Sequence, residues 1–354
     1  MTLAFGFLIL AAAAGRPLTG ETYEMTPVAE GIYAFVAPEP RTGVVQGNCL
    51  AIVGDDGVVV VDAGQFPELA RRMAADIRNL TAKPVRVLVN THWHGDHLLA
   101  NGQLREAFPG LVNVVHAETR RLANKFYSDY GRTAPKRLEG YVKEARAALE
   151  SGRTKEGKEL TQEDRLVEET ELRELEAAMA RLPEINYAPA EIAFTGEMTL
   201  HLGAREVRLM HLGRGNTPGD IVVWVPDAKV VAAGDLVVNP TPYSFGSFHG
   251  EWIETLGKLK ALGATTIVPG HGPVMRDTAY VDALIDLLGA TRTRVAAAVK
   301  EGLSLDQTRK RVDLGDFKTR LAGEDLWRRR AFDDFFVAPG IERAYKEAKG
   351  EPLE

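Results

Sequence analysis

Residues 90–97 read Asn-Thr-His-Trp-His-Gly-Asp-His, so that His92, His94, Asp96 and His97 offer four nitrogen or oxygen donors to a cation within six residues. Imidazole and carboxylate are the donors that zinc and its first-row neighbours select. The spacing also gives the cluster a direction. Past a strand end His92 and His94 point the same way, because side chains alternate with period two, whereas Asp96 and His97 lie beyond the turn at Gly95 and can serve a second metal nearby. A lone histidine is more often a packed or surface residue, but three with an aspartate at this spacing point to a metal site.

Such a cluster has to be delivered by a rigid element, and the apolar run Val85–Val89 reads as a buried strand that ends at it. Cys49–Val53 and Val58–Val61 flank Gly54-Asp55-Asp56-Gly57, a hairpin turn signal. Pro67–Leu80 has the spacing of a helix, with Leu69, Met73, Ile77 and Leu80 on one face, and a short strand follows at 112–115. The second half repeats the pattern: strands at 198–202, 206–212, 221–225 and 229–233, a helix at 252–262, and a strand at 265–268 that leads to His271. Two β-rich halves with helices outside predict two packed sheets between helical layers, a four-layer αββα sandwich of the α/β class.

The His-Trp-His-Gly-Asp-His run resembles the signature of the metallo-β-lactamase superfamily, a set of mostly zinc-dependent hydrolases, and further elements follow in that family's order over residues 30 to 275. Asp62, after Val58–Val61, resembles the aspartate that buttresses the site. Asp235, after Val230 to Gly234, resembles the carboxylate that bridges two metals, and His271 in Ile267-Val-Pro-Gly-His-Gly resembles the last histidine ligand. One element departs. Where the family carries Gly-His-Thr, residues 215–217 read Gly-Asn-Thr, and the amide of Asn216 is a weak or absent ligand beside an imidazole. The resemblance then implies a weaker site formed by His92, His94 and Asp235 and a complete one formed by Asp96, His97, Asp235 and His271. One or two Zn2+ per chain are expected, with another divalent metal as an alternative. His211, close before Asn216, either substitutes as a ligand or is a packed strand histidine.

The implied activity is hydrolysis. Zinc lowers the pKa of its water to about 7, so that a metal-bound hydroxide attacks the carbonyl of a β-lactam, lactone, ester or thioester. Asp96 would hold metal and accept a proton, Asp235 would place the metals, and Asp62 would fix a histidine tautomer from behind. The alternative is a catalytically weak metal-binding or regulatory member of the family. For a small-molecule substrate the sequence offers Trp93 between two ligands, the loop residues Tyr243, Phe245 and Phe248, and Arg214 for a carboxylate, while Arg41 to Asn48 is placed to form a flap. His249 in the same loop reads as a surface residue, or else as an accessory ligand or acid.

Composition agrees with an enzyme: 354 residues, 45% of them hydrophobic, can bury a large core. A net charge of −6 without clustered Lys and Arg near the motifs argues against nucleic acid as a partner. The single cysteine, Cys49, excludes an internal disulfide and reads as a buried strand thiol. Residues 1–20 contain a short apolar stretch ending in Ala12-Ala13-Ala14-Gly15, which resembles a secretion signal without its basic start and predicts export to a periplasm, the alternative being a core helix in a cytoplasmic protein. No other apolar run is long enough for a membrane span.

Two additions surround the expected domain at 21–280. Residues 136–182 are charge-rich with two apolar stripes, Leu138, Tyr141, Val142, Ala145, Leu149 and Leu166, Leu172, Leu175, Met179, Leu182; they predict a helical hairpin, either a solvated one or a lid over the metal cleft. Thr161 with Asp164 reads as the capping box of its second helix. Residues 281–354 predict a helical extension with an apolar cluster of Leu326, Trp327, Phe332, Phe335 and Phe336 and no chemistry of its own; the oligomeric state stays open.

Overall fold

The structure, a computed structural model, describes residues 17–155 and 157–353, so the expected export signal lies almost wholly outside the described residues. Among the described residues no helix is long and apolar enough to cross a membrane. In chain order the elements are β1 (Glu24–Ala29), β2 (Ile32–Val36), β3 (Cys49–Val53), β4 (Val58–Val61), α1 (Pro67–Leu80), β5 (Val85–Val89), α2 (Gly95–Leu98), α3 (Asn101–Ala107), β6 (Val112–His116), α4 (Ala117–Tyr127), α5 (Tyr130–Ser151), α6 (Gln162–Arg181) and β7 (Ile192–Phe194). There follow β8 (Glu197–Leu202), β9 (Arg205–Met210), β10 (Val222–Val225), β11 (Val230–Val238), α7 (His249–Ala261) and β12 (Thr266–His271). The chain ends in α8 (Ala279–Lys300), α9 (Leu305–Arg311), α10 (Gly315–Ala322), α11 (Leu326–Ala331), a π-helical turn at Phe332–Val337 and α12 (Ala338–Lys349).

Strands β1 to β7 form one sheet in sequence order, antiparallel as far as β4 and parallel from there to β7. The second sheet runs β12-β11-β10-β9-β8, with β11 and β12 parallel. Strand β4 shows why its sequence is continuously apolar. Val59 and Val61 face the second sheet in a core with Ile52, Val89, Val223 and Val225, while Val58 and Val60 face α1 through Leu69, Met73 and Ile77. The outer face of the second sheet packs Val231 and Leu236 against Trp252 and Leu256 of α7 and Leu284 of α8. Helix, sheet, sheet, helix is the four-layer sandwich expected.

This topology assembles the site. Parallel neighbours end at the same edge, so β4 delivers Asp62 beside the cluster that β5 delivers, and β11 delivers Asp235 beside His271 at the end of β12.

The hairpin α5/α6 begins at Tyr130 rather than at 136, with Pro135 inside the second turn of its first helix. Its second helix opens with the expected box: Asp164 N donates to Thr161 Oγ1 at 3.1 Å and Thr161 N to Asp164 Oδ2 at 3.0 Å. The other oxygen of Asp164 pairs with Arg330 of α11. Val142 and Leu175 join the core beneath α1, whereas Tyr141 points outward. Ser304 and Gln307 likewise form the capping box of α9.

Candidate metal centre

The six expected donors converge on one nook at the strand ends. Asp235 Oδ2 lies 3.4 Å from His92 Nε2 and 3.6 Å from His94 Nδ1, and its Oδ1 lies 3.2 Å from His97 Nε2 and 3.6 Å from His271 Nε2. Asp96 Oδ2 lies 2.9 Å from His271 Nε2 and 3.3 Å from His97 Nε2. Two groupings of appropriate size for an ion result, His92-His97-Asp235 and Asp96-His97-His271. His97 belongs to both, where the expectation assigned it to one site only.

The residues fit a metal on the evidence of their unmet bonding capacity. His92 Nε2, Asp96 Oδ2, both Asp235 oxygens and Asn216 Oδ1 are buried without a hydrogen-bond partner. Each such atom costs about 1–3 kcal/mol, and a divalent cation would satisfy several at once. Charge states agree. Burial pushes His92 down to about 4 despite Asp235, leaving a neutral lone pair. Burial opposes ionisation of Asp96 and Asp235, yet the surrounding histidines hold both carboxyls well below the usual range. Burial also opposes a proton on His97, but Asp96, Asp235 and Asp62 raise it well above the ordinary imidazole value, a place that a cation would take instead.

A second layer of residues aims these donors. Asp62 Oδ2 is 2.9 Å from His97 Nδ1 and accepts from Thr91 Oγ1 at 2.8 Å, and Thr91 Oγ1 is in turn 2.9 Å from His92 Nδ1. One carboxylate therefore directs Nε2 of two imidazoles inward, His97 directly and His92 through Thr91. To do so Asp62 adopts φ +59°, a left-handed conformation that costs a non-glycine residue about 1–3 kcal/mol. Beneath the cluster Asn90 donates to His97 O and exchanges hydrogen bonds with Asn101, while Asn113 donates to Asn90. Gly47 packs against His97 so closely that a Cβ would come within 2.4 Å of the ring.

Asn48 ties the far side. It donates to the carbonyls of Pro269 at 3.0 Å and Gly272 at 2.8 Å, on either side of His271, and accepts from Ala37 N at 3.0 Å. Sequence reasoning missed Thr91, Asn48 and Asn90, because their role depends on partners far along the chain. It also missed Asp220, a buried carboxyl pushed up to about 7 by desolvation despite bonds from Thr217.

Several expected contacts are placed elsewhere. Asn216 Nδ2 donates to the carbonyl of Tyr243, so its oxygen alone is left for a cation or a water. His211 stacks on His116 at 4.3 Å and meets the Asp220 carbonyl at 2.8 Å, as a packed strand histidine does. Arg214 forks onto both oxygens of Glu251 and covers Phe248, which is buried and not a pocket wall; the expected substrate roles of Arg214 and Phe248 are corrected accordingly. Trp93 stacks on Phe126 at 4.7 Å and touches His94 edge-on.

His249 is neither a surface residue nor an accessory ligand. It is fully buried in the first turn of α7, 2.7 Å from Ser244 Oγ and parallel to Phe336. Burial, followed by Arg343 and Arg292, lowers it to about 3. The unfolded chain binds a proton near 6.5 that the folded chain refuses, so this residue's stabilising contribution is complete above 6.5 and is lost as pH falls toward 3. We expect the unfolding free energy of His249→Phe, measured in urea between pH 6 and 4, to fall less steeply than that of the native chain by one proton, about 1.4 kcal/mol per pH unit. Equal slopes would show that His249 titrates normally.

Beside the nook lies a cavity of about 450 Å³. Tyr243, whose ring is 5.3 Å from that of His271, borders both. The flap contributes Gly43, Val44 and Val45; the hairpin contributes Leu138, Tyr141 and Leu175; Phe245 adds an exposed ring. Phe335, read from sequence as packing only, reaches this wall from the π-turn and lies 5.4 Å from Tyr243.

Residues 42–271 match the model of the metallo-beta-lactamase superfamily. The linear primary-alkylsulfatase of Pseudomonas sp. (strain ATCC 19151) is 24% identical over 278 residues, which are 74% of this chain and 49% of that protein, so the chain spans about half the length of this relative. The type 2 metallo-beta-lactamase of Bacteroides fragilis is 32% identical over a shorter stretch, 23% of this chain and 35% of that one. Among solved structures, a metallo-beta-lactamase from Pontibacter korlensis superposes with a TM-score of 0.54 at 19% identity, covering 76% of this chain and 99% of its own. A stereoselective inverting sec-alkylsulfatase from Pseudomonas sp. superposes with a TM-score of 0.60 at 15% identity, covering 94% of this chain and 51% of its own.

Proposed function

The chain belongs to the metallo-beta-lactamase superfamily of hydrolases, and from that premise we propose that it is a zinc-dependent hydrolase of an ester bond at the head of an apolar chain. The observation that carries this reading is the largely apolar cavity that adjoins the histidine-aspartate nook. Zinc held by His92, His94, Asp96, His97, Asp235 and His271 would supply a nucleophile from water near neutral pH and polarise the ester oxygen. Asp62 and Thr91 keep the imidazole lone pairs aimed, Asn48 holds the His271 loop, and Asp96, beside His271, is placed to accept a proton. The hairpin, the flap and Phe335 exclude water from the bound chain.

A second reading, a sulfate ester in place of a carboxylic ester, is favoured by one observation. The alkylsulfatase structure covers 94% of this chain, a share large enough to include helical additions, whereas the Pontibacter β-lactamase covers 76%.

The test is a series of p-nitrophenyl esters from acetate to laurate, with dodecyl sulfate and a chromogenic β-lactam alongside. We expect kcat/KM to climb with acyl length until the cavity is filled, by up to about fourfold per methylene, the equivalent of about 0.8 kcal/mol. Sulfate release from dodecyl sulfate with little ester turnover selects the second reading. A flat length dependence with rapid β-lactam opening overturns both.

A further inference from the structure

We infer that Arg137, on the hairpin helix α5, is an anion-recognition residue of the cavity, so that the ligand held there carries a negative charge as well as an apolar chain. The inference rests on the cavity being the substrate site.

Arg137 is the one cation among the described residues that line the cavity. Four other arginines of the hairpin are engaged by carboxylates: Arg132 by Asp129, Arg146 by Glu176, Arg153 by Glu159 and Arg181 by Glu68. Among the described residues no carboxylate stands within ion-pair distance of Arg137. Its guanidinium instead stands over the ring of Tyr130, whose centroid lies 5.8 Å from its Cζ. The ring leaves the charge of this exposed head intact, and a planar guanidinium is suited to a carboxylate or sulfate. The lining also holds one carboxyl among the described residues, Glu171, whose pKa is raised by burial, Glu168 and Asp334 against the pull of Lys155, and it stands outside ion-pair distance of Arg137. The cavity is thus largely apolar, with a cation on its lid side that no carboxylate engages.

Equilibrium binding of decanoate and of decan-1-ol to the zinc-loaded protein tests this without turnover. Arg137→Gln should weaken decanoate about tenfold or more and leave decanol unchanged, with Arg137→Lys between. Decanol failing to bind the native protein overturns the cavity as substrate site. If decanol binds but Arg137→Gln leaves decanoate untouched, or weakens both ligands equally, anion recognition by Arg137 alone is overturned.

Discussion

Asp235→Ala is expected to lose bound metal and hydrolysis together while remaining folded. Asp235 is the one side chain whose oxygens approach all four histidines of the nook, at 3.2 to 3.6 Å. Removing a residue that merely orients a ligand typically costs about 10 to 100-fold, and removing the carboxylate common to both groupings should cost more than that. The fold should survive because β11 is anchored by its neighbours Leu236 and Val237, both fully buried, and not by the carboxylate. Elemental analysis of metal per chain, with an unfolding midpoint on the same sample, separates the two. A variant that keeps a full complement of metal and native turnover would show that the histidines and Asp96 suffice.

Asn48→Ala should be the most damaging change outside the donors. It strands three buried groups at once, Ala37 N and the carbonyls of Pro269 and Gly272. Each orphan costs about 1–3 kcal/mol, partly recovered if water enters, so a loss on the order of 3 kcal/mol is expected. Because both carbonyls flank His271, metal affinity should fall with stability, though His271 itself is intact. Urea unfolding of the metal-free protein, compared with zinc titration of both forms, checks this. A loss under about 0.5 kcal/mol, the size of an ordinary surface change, would mean that the loop keeps its position by packing alone.

What could be read from the sequence was whatever a local pattern determines. Val58–Val61, Val85–Val89 and Pro67–Leu80 have the bounds expected, because an apolar run between turn residues or a helical stripe marks both ends. Strands β1 and β2 went unread: β1 is half exposed at a sheet edge, and its polar residues carry no strong signal. Strand β11 continues to Val238, past the Gly234-Asp235 pair where its expected end lay, since pairing with β12 as far as His271 outweighs the poor strand preference of those residues. The donors His92 to His97 were legible from spacing, and Asp235 and His271 from the family resemblance. Their supports were not, because Thr91 and Asn48 acquire their roles only through partners that the fold brings near. Arg214 and Phe248 were misjudged for the same reason: nothing local reveals that Glu251, one turn into α7, claims the guanidinium.

Asp164 has a further consequence. One carboxylate starts helix α6 through Thr161 and also fastens α11 through Arg330, the helix that leads into the turn bearing Phe335. The hairpin and the C-terminal helices are therefore joined by a carboxylate that both depend on. A chimera that took one from this chain and the other from a relative would keep its donors in place and lose the shape of the room beside them.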